Sequence, residues 1–280
     1  MATSLAPPPT QLPPRVSEED LAKTARRKDR IDRWGWRLAG YVFFLGVWEF
    51  ASGRFMDEAL LPGPSKVFTT FGELWQSGEV PGAFATTLTR IGIGFTIAFL
   101  VGILVGILMQ NRWLNGFFRD AVTIGVTTPG LIWALITAII FGNRETGPLL
   151  AIVLTTFAII TVNVAEGIKS LPKDLIDMAK SFDVGVIKRN RQIVIPHLAP
   201  FIFTGVRFGF SIAWKVTVLT EVFSSSKGIG FEMRTATQLF RLDEFLTWIL
   251  AFYIFALFLE KVVLEVIERR FFSWRATLKS

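Results

Sequence analysis

Six apolar runs constrain this 280-residue chain more than any other feature in it. They lie near 36–54, 87–110, 121–142, 147–168, 198–223 and 245–268, each roughly the length of about 20 residues that carries a helix across a bilayer. In hydrocarbon no water reaches a backbone N–H or C=O. A spanning segment must close its own hydrogen bonds, and a run of this length does so as a helix. The expected fold is therefore an all-α membrane protein with about six transmembrane helices. Hydrophobic residues make up 51% of the chain, with 27 Phe and 9 Trp, more than an ordinary soluble domain carries. Glu49 interrupts the first run. A tight polar hairpin over 142–147 separates the third from the fourth. Pro129 and Gly130 stand inside the third, where a helix break that exposes backbone to a cavity and an ordinary kink are both open.

Charge orients the runs. With the N-terminus placed in the cytoplasm, the tail through Arg37, the 2–3 loop (Arg112, Arg119), the 4–5 loop (Lys169, Lys173, Lys180, Lys188, Arg189, Arg191) and the C-terminus (Arg269, Arg270, Arg275, Lys279) share one side. Fewer cations, Arg54, Lys66, Arg90, Arg144, Lys227, Arg234 and Arg241, fall on the other. The Lys and Arg bias places N- and C-termini inside, as an even number of spans requires. It also accounts for the net charge of +7 without nucleic acid as a partner. Residues 1–35, with their Pro-rich start and charged run, read as a disordered cytoplasmic tail and not as a cleavable signal. The membrane domain runs over 36–276, and 277–280 form a short C-terminal tail. Cys is absent and His occurs once, at His197, which excludes disulfides, Cys-based zinc sites and thiol nucleophiles. No metal site and no catalytic group is expected.

The polar segment 169–197 between the fourth and fifth runs is of another kind. Over 171–187, Leu171, Leu175, Met178, Ala179, Phe182 and Val186 recur at spacings of three and four, with Lys173, Asp174, Asp177, Lys180 and Asp183 on the other face. This is the pattern of an amphipathic helix. Ser170 is placed to cap it, Pro172 suits its first turn and Asp174 favours its positive end. Its apolar stripe needs a cover: the membrane surface, the chain's own helix ends, or a partner protein.

Within that segment Asp177-Met178-Ala179, Asp183, Ile193, Ile195 and Pro196 fall at the spacing E-A-A-x3-G-x9-I-x-L-P. The segment resembles the loop that marks the membrane subunits of ATP-binding-cassette importers. Two positions depart from the pattern: Asp177 keeps the charge of the usual Glu, and Asp183 stands where a Gly lets the loop turn, with Gly185 close by. Further matches extend the resemblance from about residue 40 to 276. They are Leu61-Pro62-Gly63-Pro64-Ser65, Thr87-Leu88-Thr89-Arg90-Ile91-Gly92-Ile93-Gly94-Phe95, Thr204-Gly205-Val206-Arg207-Phe208-Gly209, Ala213-Trp214, Glu221, Gly228-Ile229-Gly230 and Glu268-Arg269-Arg270 with Trp274-Arg275. These are similar to the permeases of the sulfonate, taurine, nitrate and bicarbonate branch. The third run fits that branch least.

The resemblance implies a type I importer permease fold in a bacterial inner membrane. Two copies would form the pore. Two ATPase subunits, which hold the ATP and Mg, would dock on the loop through Leu175, Asp177, Met178, Ala179, Phe182, Asp183, Gly185, Ile193 and Pro196. A periplasmic or lipid-anchored binding protein would deliver a small anionic solute. No cofactor belongs to this chain, which has no G-x4-G-K-[ST] phosphate loop.

Candidates for the translocation path are Lys215, Trp214, Glu221, Pro129, Trp133 and Asn163. Lys215, midway along the fifth run, either attracts an anion or forms a structural pair with Glu166 or Glu221. Glu221 either faces the path or caps residues 224–230. The two Trp and Asn163 line a cavity or simply pack. Arg207 snorkels or pairs, and His197 is structural or exposed. An intramembrane enzyme would need a nucleophile–base pair or paired carboxylates at membrane depth, and an ion-driven secondary transporter usually shows an inverted repeat; neither signature is visible.

Overall fold

The structure is a computed structural model that describes residues 18–142, 144–264 and 266, with side chains over 35–142, 144–262 and at 266. The 1–34 portion of the proposed tail and the C-terminal Glu268-Arg269-Arg270 and Trp274-Arg275 motifs lie outside the residues whose side chains are described. Among the described residues the secondary structure is helical, apart from one isolated bridge, Ser52 to Met56. The helices are α1 (Glu18–Ala51), α2 (Pro64–Gln76), α3 (Glu79–Leu108), α4 (Arg112–Thr127), α5 (Gly130–Phe141), α6 (Thr146–Lys169), α7 (Lys173–Ser181), α8 (Val186–Arg189), α9 (Ile195–Ser224), α10 (Ile229–Gln238) and α11 (Leu242–Phe258).

Among the described residues four helices are long and apolar enough to cross a membrane: Glu79–Leu108, Thr146–Lys169, Val186–Ser224 and Leu242–Val262. The third predicted run is not one straight helix. It is split into α4 and α5, which meet at 102°, and counting that bent pair as one span gives five. The cause is local. Pro129 has no N–H to continue the ladder, and the residue before a proline is driven out of the helical region. Thr128 accordingly sits at ψ 122° and α5 starts afresh at Gly130. The first predicted run, 36–54, falls on α1 and is not among these spans; α1 ends at Ala51, and Arg37 and Glu49 break its apolar face.

Glu49 has a local use. Its carboxylate accepts from the backbone N–H of Ser65 at 3.0 Å and from the Ser65 hydroxyl at 2.7 Å, at the start of α2. Trp48 Nε1 donates to the Pro62 carbonyl and Ser52 to that of Leu61. The Leu61–Ser65 motif thus folds back onto the end of α1.

The bundle centres on α6, which packs against both α3 and α9. Small residues set those contacts. A Cβ on Gly102 would lie 2.8 Å from Ile160 Cβ, and one on Gly106 2.8 Å from Val164 Cβ. The Gly102-x3-Gly106 face therefore brings α3 close to α6 within one chain. On the other side of α3 and α9, Ile91, Trp214, Val218, Ile229, Met233 and Trp248 form a buried apolar cluster.

Candidate functional site

The 169–197 segment folds as two helical pieces, not as one helix over 171–187. α7 ends at Ser181 and α8 begins at Val186. Between them Asp183 adopts φ +48°, while Gly185 stays extended at φ −55°, ψ 149°. The Val184 N–H donates to the Ala179 carbonyl and the Asp183 N–H to that of Lys180, both at 2.9 Å. This is the paired six-to-one and five-to-two closure that ends a helix on a left-handed residue. Glycine is the usual occupant, and Asp tolerates the conformation better than most side chains. Ser170 does not cap α7: its hydroxyl donates to the Gly167 carbonyl and lies 3.1 Å from His197 Nε2, and the N-cap position is Pro172.

The turn divides the loop's side chains. Ala179 is buried and anchors α7. Leu175, Met178, Phe182, Val186 and Ile187 are exposed, Phe182 to 77%. Asp177 pairs with Lys180 at 3.0 Å on the polar face. Five exposed apolar side chains on two short helices and the turn between them make an uncovered patch. A cavity of about 610 Å³ opens beside it, lined by Gly185, Val186, Ile187, Lys188, Arg191 and Gln192. Ile193 lies in a π-helical turn, Asn190–Val194, that feeds into α9. Pro196 explains the turn: its ring would strike the carbonyl four residues back, and the wider π geometry moves that carbonyl aside.

A second site closes the Ser224 end of α9. Arg90, deep in the apolar sequence of α3, is 4% exposed. Its Nε and Nη2 donate to the two Glu145 oxygens at 2.6 Å each, and its Nη1 donates to Glu221 Oε1 at 2.7 Å and to the Lys227 carbonyl at 2.8 Å. Glu221, fully buried, also accepts from the Thr87 hydroxyl and from the Gly230 N–H at 3.0 Å. Gly228 takes φ +107°, where a Cβ would run into the Glu221 carboxylate. One carboxylate thus ties α3, α9 and the turn into α10. Glu145 remains 61% exposed, and the Arg90 guanidinium beside it holds its carboxyl below the ordinary Glu range.

The remaining path candidates are distributed as follows. Glu221 is enclosed in that network and its side chain reaches no open surface. Trp214 is 4% exposed and stacks on Phe252 at 5.1 Å in the apolar cluster, with Nε1 lacking an acceptor among the described residues. Trp133 is half-buried on α5, and its Nε1 also lacks one. Asn163 donates to its own helix at the Ile159 carbonyl and packs where Gly205 lets α9 approach. Pro129 caps α5 at the break, and Gly130 leaves room for Val216 of α9. Lys215 is exposed and pairs with neither Glu221, held by Arg90, nor Glu166, which faces Lys169 at 3.8 Å.

Arg90, Thr87 and Glu145 were not among the sequence candidates. Arg90 counts there as a cation of the far side, but it sits inside the span that starts at Glu79. A charge within an apolar run was the available signal.

The sequence profile of the family described as "Binding-protein-dependent transport system inner membrane component" matches residues 98–273. A protein named for aliphatic sulfonates transport, the permease SsuC of Escherichia coli (strain K12), is 29% identical over 251 residues, covering 87% of this chain and 94% of that protein. The bicarbonate transport system permease protein CmpB of Synechococcus elongatus is 28% identical over 80% of this chain and 87% of its own. Among solved structures, an inward-facing form of the MetNI methionine ABC transporter contains a chain that superposes with a TM-score of 0.56 at 16% identity, over 71% of this chain and 98% of that one. That last likeness concerns the fold.

Proposed function

The chain belongs to the family of binding-protein-dependent transport system inner membrane components, and from that premise we propose how its parts divide the work of transport. It is a multi-pass inner-membrane permease subunit of an ATP-binding-cassette importer. Its family implies a separate ATPase subunit and a substrate-binding protein.

In our reading the α7–α8 loop is the coupling element. Leu175, Met178 and Phe182, together with Val186 and Ile187, insert into a groove of the ATPase. Asp177 and Asp183 hold the loop's geometry, and Ala179, Gly185, Ile193 and Pro196 fix how α7 and α8 join α9. Two copies of the permease carry two ATPase subunits, with both termini in the cytoplasm. When ATP closes the ATPases, the two loops are drawn together and the spans tilt, turning the cavity from one side of the membrane to the other. Alternation of this kind needs a bistable path. The α4–α5 break at Pro129, with Trp133 and Lys215 beside it and Asn163 of α6 further along α9 at Gly205, is where we place it. Glu221 and Trp214 support that path from behind. The transported solute is a small oxyanion, in keeping with the sulfonate and bicarbonate in the names of the relatives.

One observation carries this reading: the apolar side chains of the loop are exposed although a well-formed turn and a buried Ala179 hold them in place. The test is co-purification of the tagged chain from native membranes with Phe182→Asp beside the wild type. Phe182 is exposed, so the change leaves the bundle folded. An ATPase subunit that elutes with the wild type and is reduced about tenfold or more with the variant supports docking at the loop; loss of a central apolar anchor removes on the order of 2 kcal/mol or more. Uptake that proceeds with no ATPase present would instead favour an ion-driven carrier.

A further inference from the structure

Lys215 poses a problem that the single chain leaves unsolved. It lies nine residues before Ser224, the end of α9, so about 14 Å along the helix axis at 1.5 Å per residue. With the edge of a hydrocarbon layer about 30 Å thick set at Ser224, beside the polar Arg90 cluster, that is close to the midplane, too deep for the ammonium to reach an interface. It is exposed, and it has no ion-pair or hydrogen-bond partner among the described residues. The one carboxylate on α9, Glu221, is held by Arg90. The neighbouring α5 contains no ionisable residue.

The face around Lys215 is also unusual for a lipid-facing helix. Thr204, Phe208, Ser211 and Lys215 follow at spacings of four, three and four, which stacks them along one stripe. Thr204 and Phe208 are exposed and Ser211 is half-buried, whereas Ala213, Trp214, Val216 and Thr217 turn inward. Next to the stripe, Val216 fills the space beside Gly130, so the α4–α5 break abuts the helix one residue from Lys215. A bare ammonium facing lipid at this depth is strongly disfavoured, whereas one facing water is not.

We infer that the Thr204–Ser211–Lys215 stripe of α9 lines a water-filled cavity, and that Lys215 gives that cavity a positive potential selecting small anions. The inference rests on the permease reading above and adds the residue that sets charge selectivity. Ser211 supplies a hydroxyl that can donate to an oxyanion, Thr204, whose hydroxyl donates to the Pro200 carbonyl at 2.9 Å, leaves only its oxygen as an acceptor for water, and Lys215 supplies the field.

The chain has no Cys, so a single introduced thiol reports without background. Ser211→Cys is placed one turn from Lys215. Its modification rates with an anionic methanethiosulfonate (sulfonatoethyl) and a cationic one (trimethylammonioethyl) are measured in membrane vesicles that retain the full complex, with and without ATP. Rates are normalised to a free thiol. With Lys215 present the anionic reagent reacts about tenfold faster than the cationic one, as a focused charge in a low-dielectric cleft produces. The preference persists in Lys215→Arg and disappears in Lys215→Met, with Lys215→Gln as the substitute if the Met variant fails to accumulate. No labelling at Ser211→Cys in either nucleotide condition overturns the cavity. A charge preference that survives Lys215→Met overturns the role of the lysine. The ATPase content of the same vesicles separates the two claims. If ATPase is present and selectivity absent, this inference alone fails; if ATPase never associates with the chain, the permease reading fails with it.

Discussion

Arg90 is the residue on which the Ser224 end of the molecule depends. It faces two carboxylates of different standing, one fully buried and one mostly exposed, and their removal should have different consequences. Glu221→Gln leaves a buried guanidinium with the mostly exposed Glu145 as its remaining charge partner, a loss of about 3 kcal/mol, the lower end for a broken buried pair. Glu145→Gln removes a solvent-screened pair, worth less than about 1 kcal/mol. Thermal unfolding in detergent should therefore show a large drop in midpoint for the first and a small one for the second. The smaller effect depends on pH in a defined direction. Glu145 is held below the ordinary Glu value of 4.5 by Arg90, so its contribution is complete above that value and is lost as pH falls through the depressed one. The midpoint gap between wild type and Glu145→Gln should be constant near neutral pH and close in acid; a gap that widens in acid would contradict the pairing. The linear sequence shows a charge inside an apolar run, but not which carboxylates it meets. Its partners lie 131 and 55 positions from Arg90, and no periodicity links them. The residues proposed to dock the ATPase in the 169–197 loop could be singled out from the sequence because they are local, and their spacing is itself the signal.

Among the elements, the apolar runs predicted four helices closely, since a segment in lipid has few alternatives to a helix. The third run misled by its continuity. Hydrophobicity alone reads through Pro129, whereas the backbone does not, and the 102° between α4 and α5 is set by what α5 packs against, α6 and α9. The loop shows the converse. The 171–187 periodicity looks continuous, yet a left-handed Asp183 cuts it. A non-glycine residue in that conformation costs about 1 kcal/mol or more. Asp183→Gly should therefore raise the thermal midpoint slightly and keep ATPase co-purification. Asp183→Val, β-branched and intolerant of positive φ, should lower the yield of ATPase-bound complex several-fold. Equal behaviour of the two variants would mean that the turn does not govern docking.

At the scale of the whole molecule a rigid part lies beside two proposed working surfaces. α3, α6 and α9 pack through glycine-mediated contacts and are clasped at one end by Arg90 and Glu221. The α7–α8 patch at the other end of α9 is the surface proposed to dock the ATPase, and the Lys215 stripe between them is the one proposed to face the solute. In the proposed coupling, force applied at the loop would travel along α9, which is continuous with the loop through the π-turn before Pro196. The most direct test of that claim is site-specific cross-linking in the Cys-free chain. Phe182→Cys carrying a photoactivatable thiol reagent should form a covalent adduct with the ATPase subunit in native membranes, and the yield should change with ATP. A cross-linker at Ile139, exposed on α5 and away from the loop, should give none. An adduct from residue 139 equal to that from 182, or none from 182 while the ATPase still co-purifies, would contradict the account.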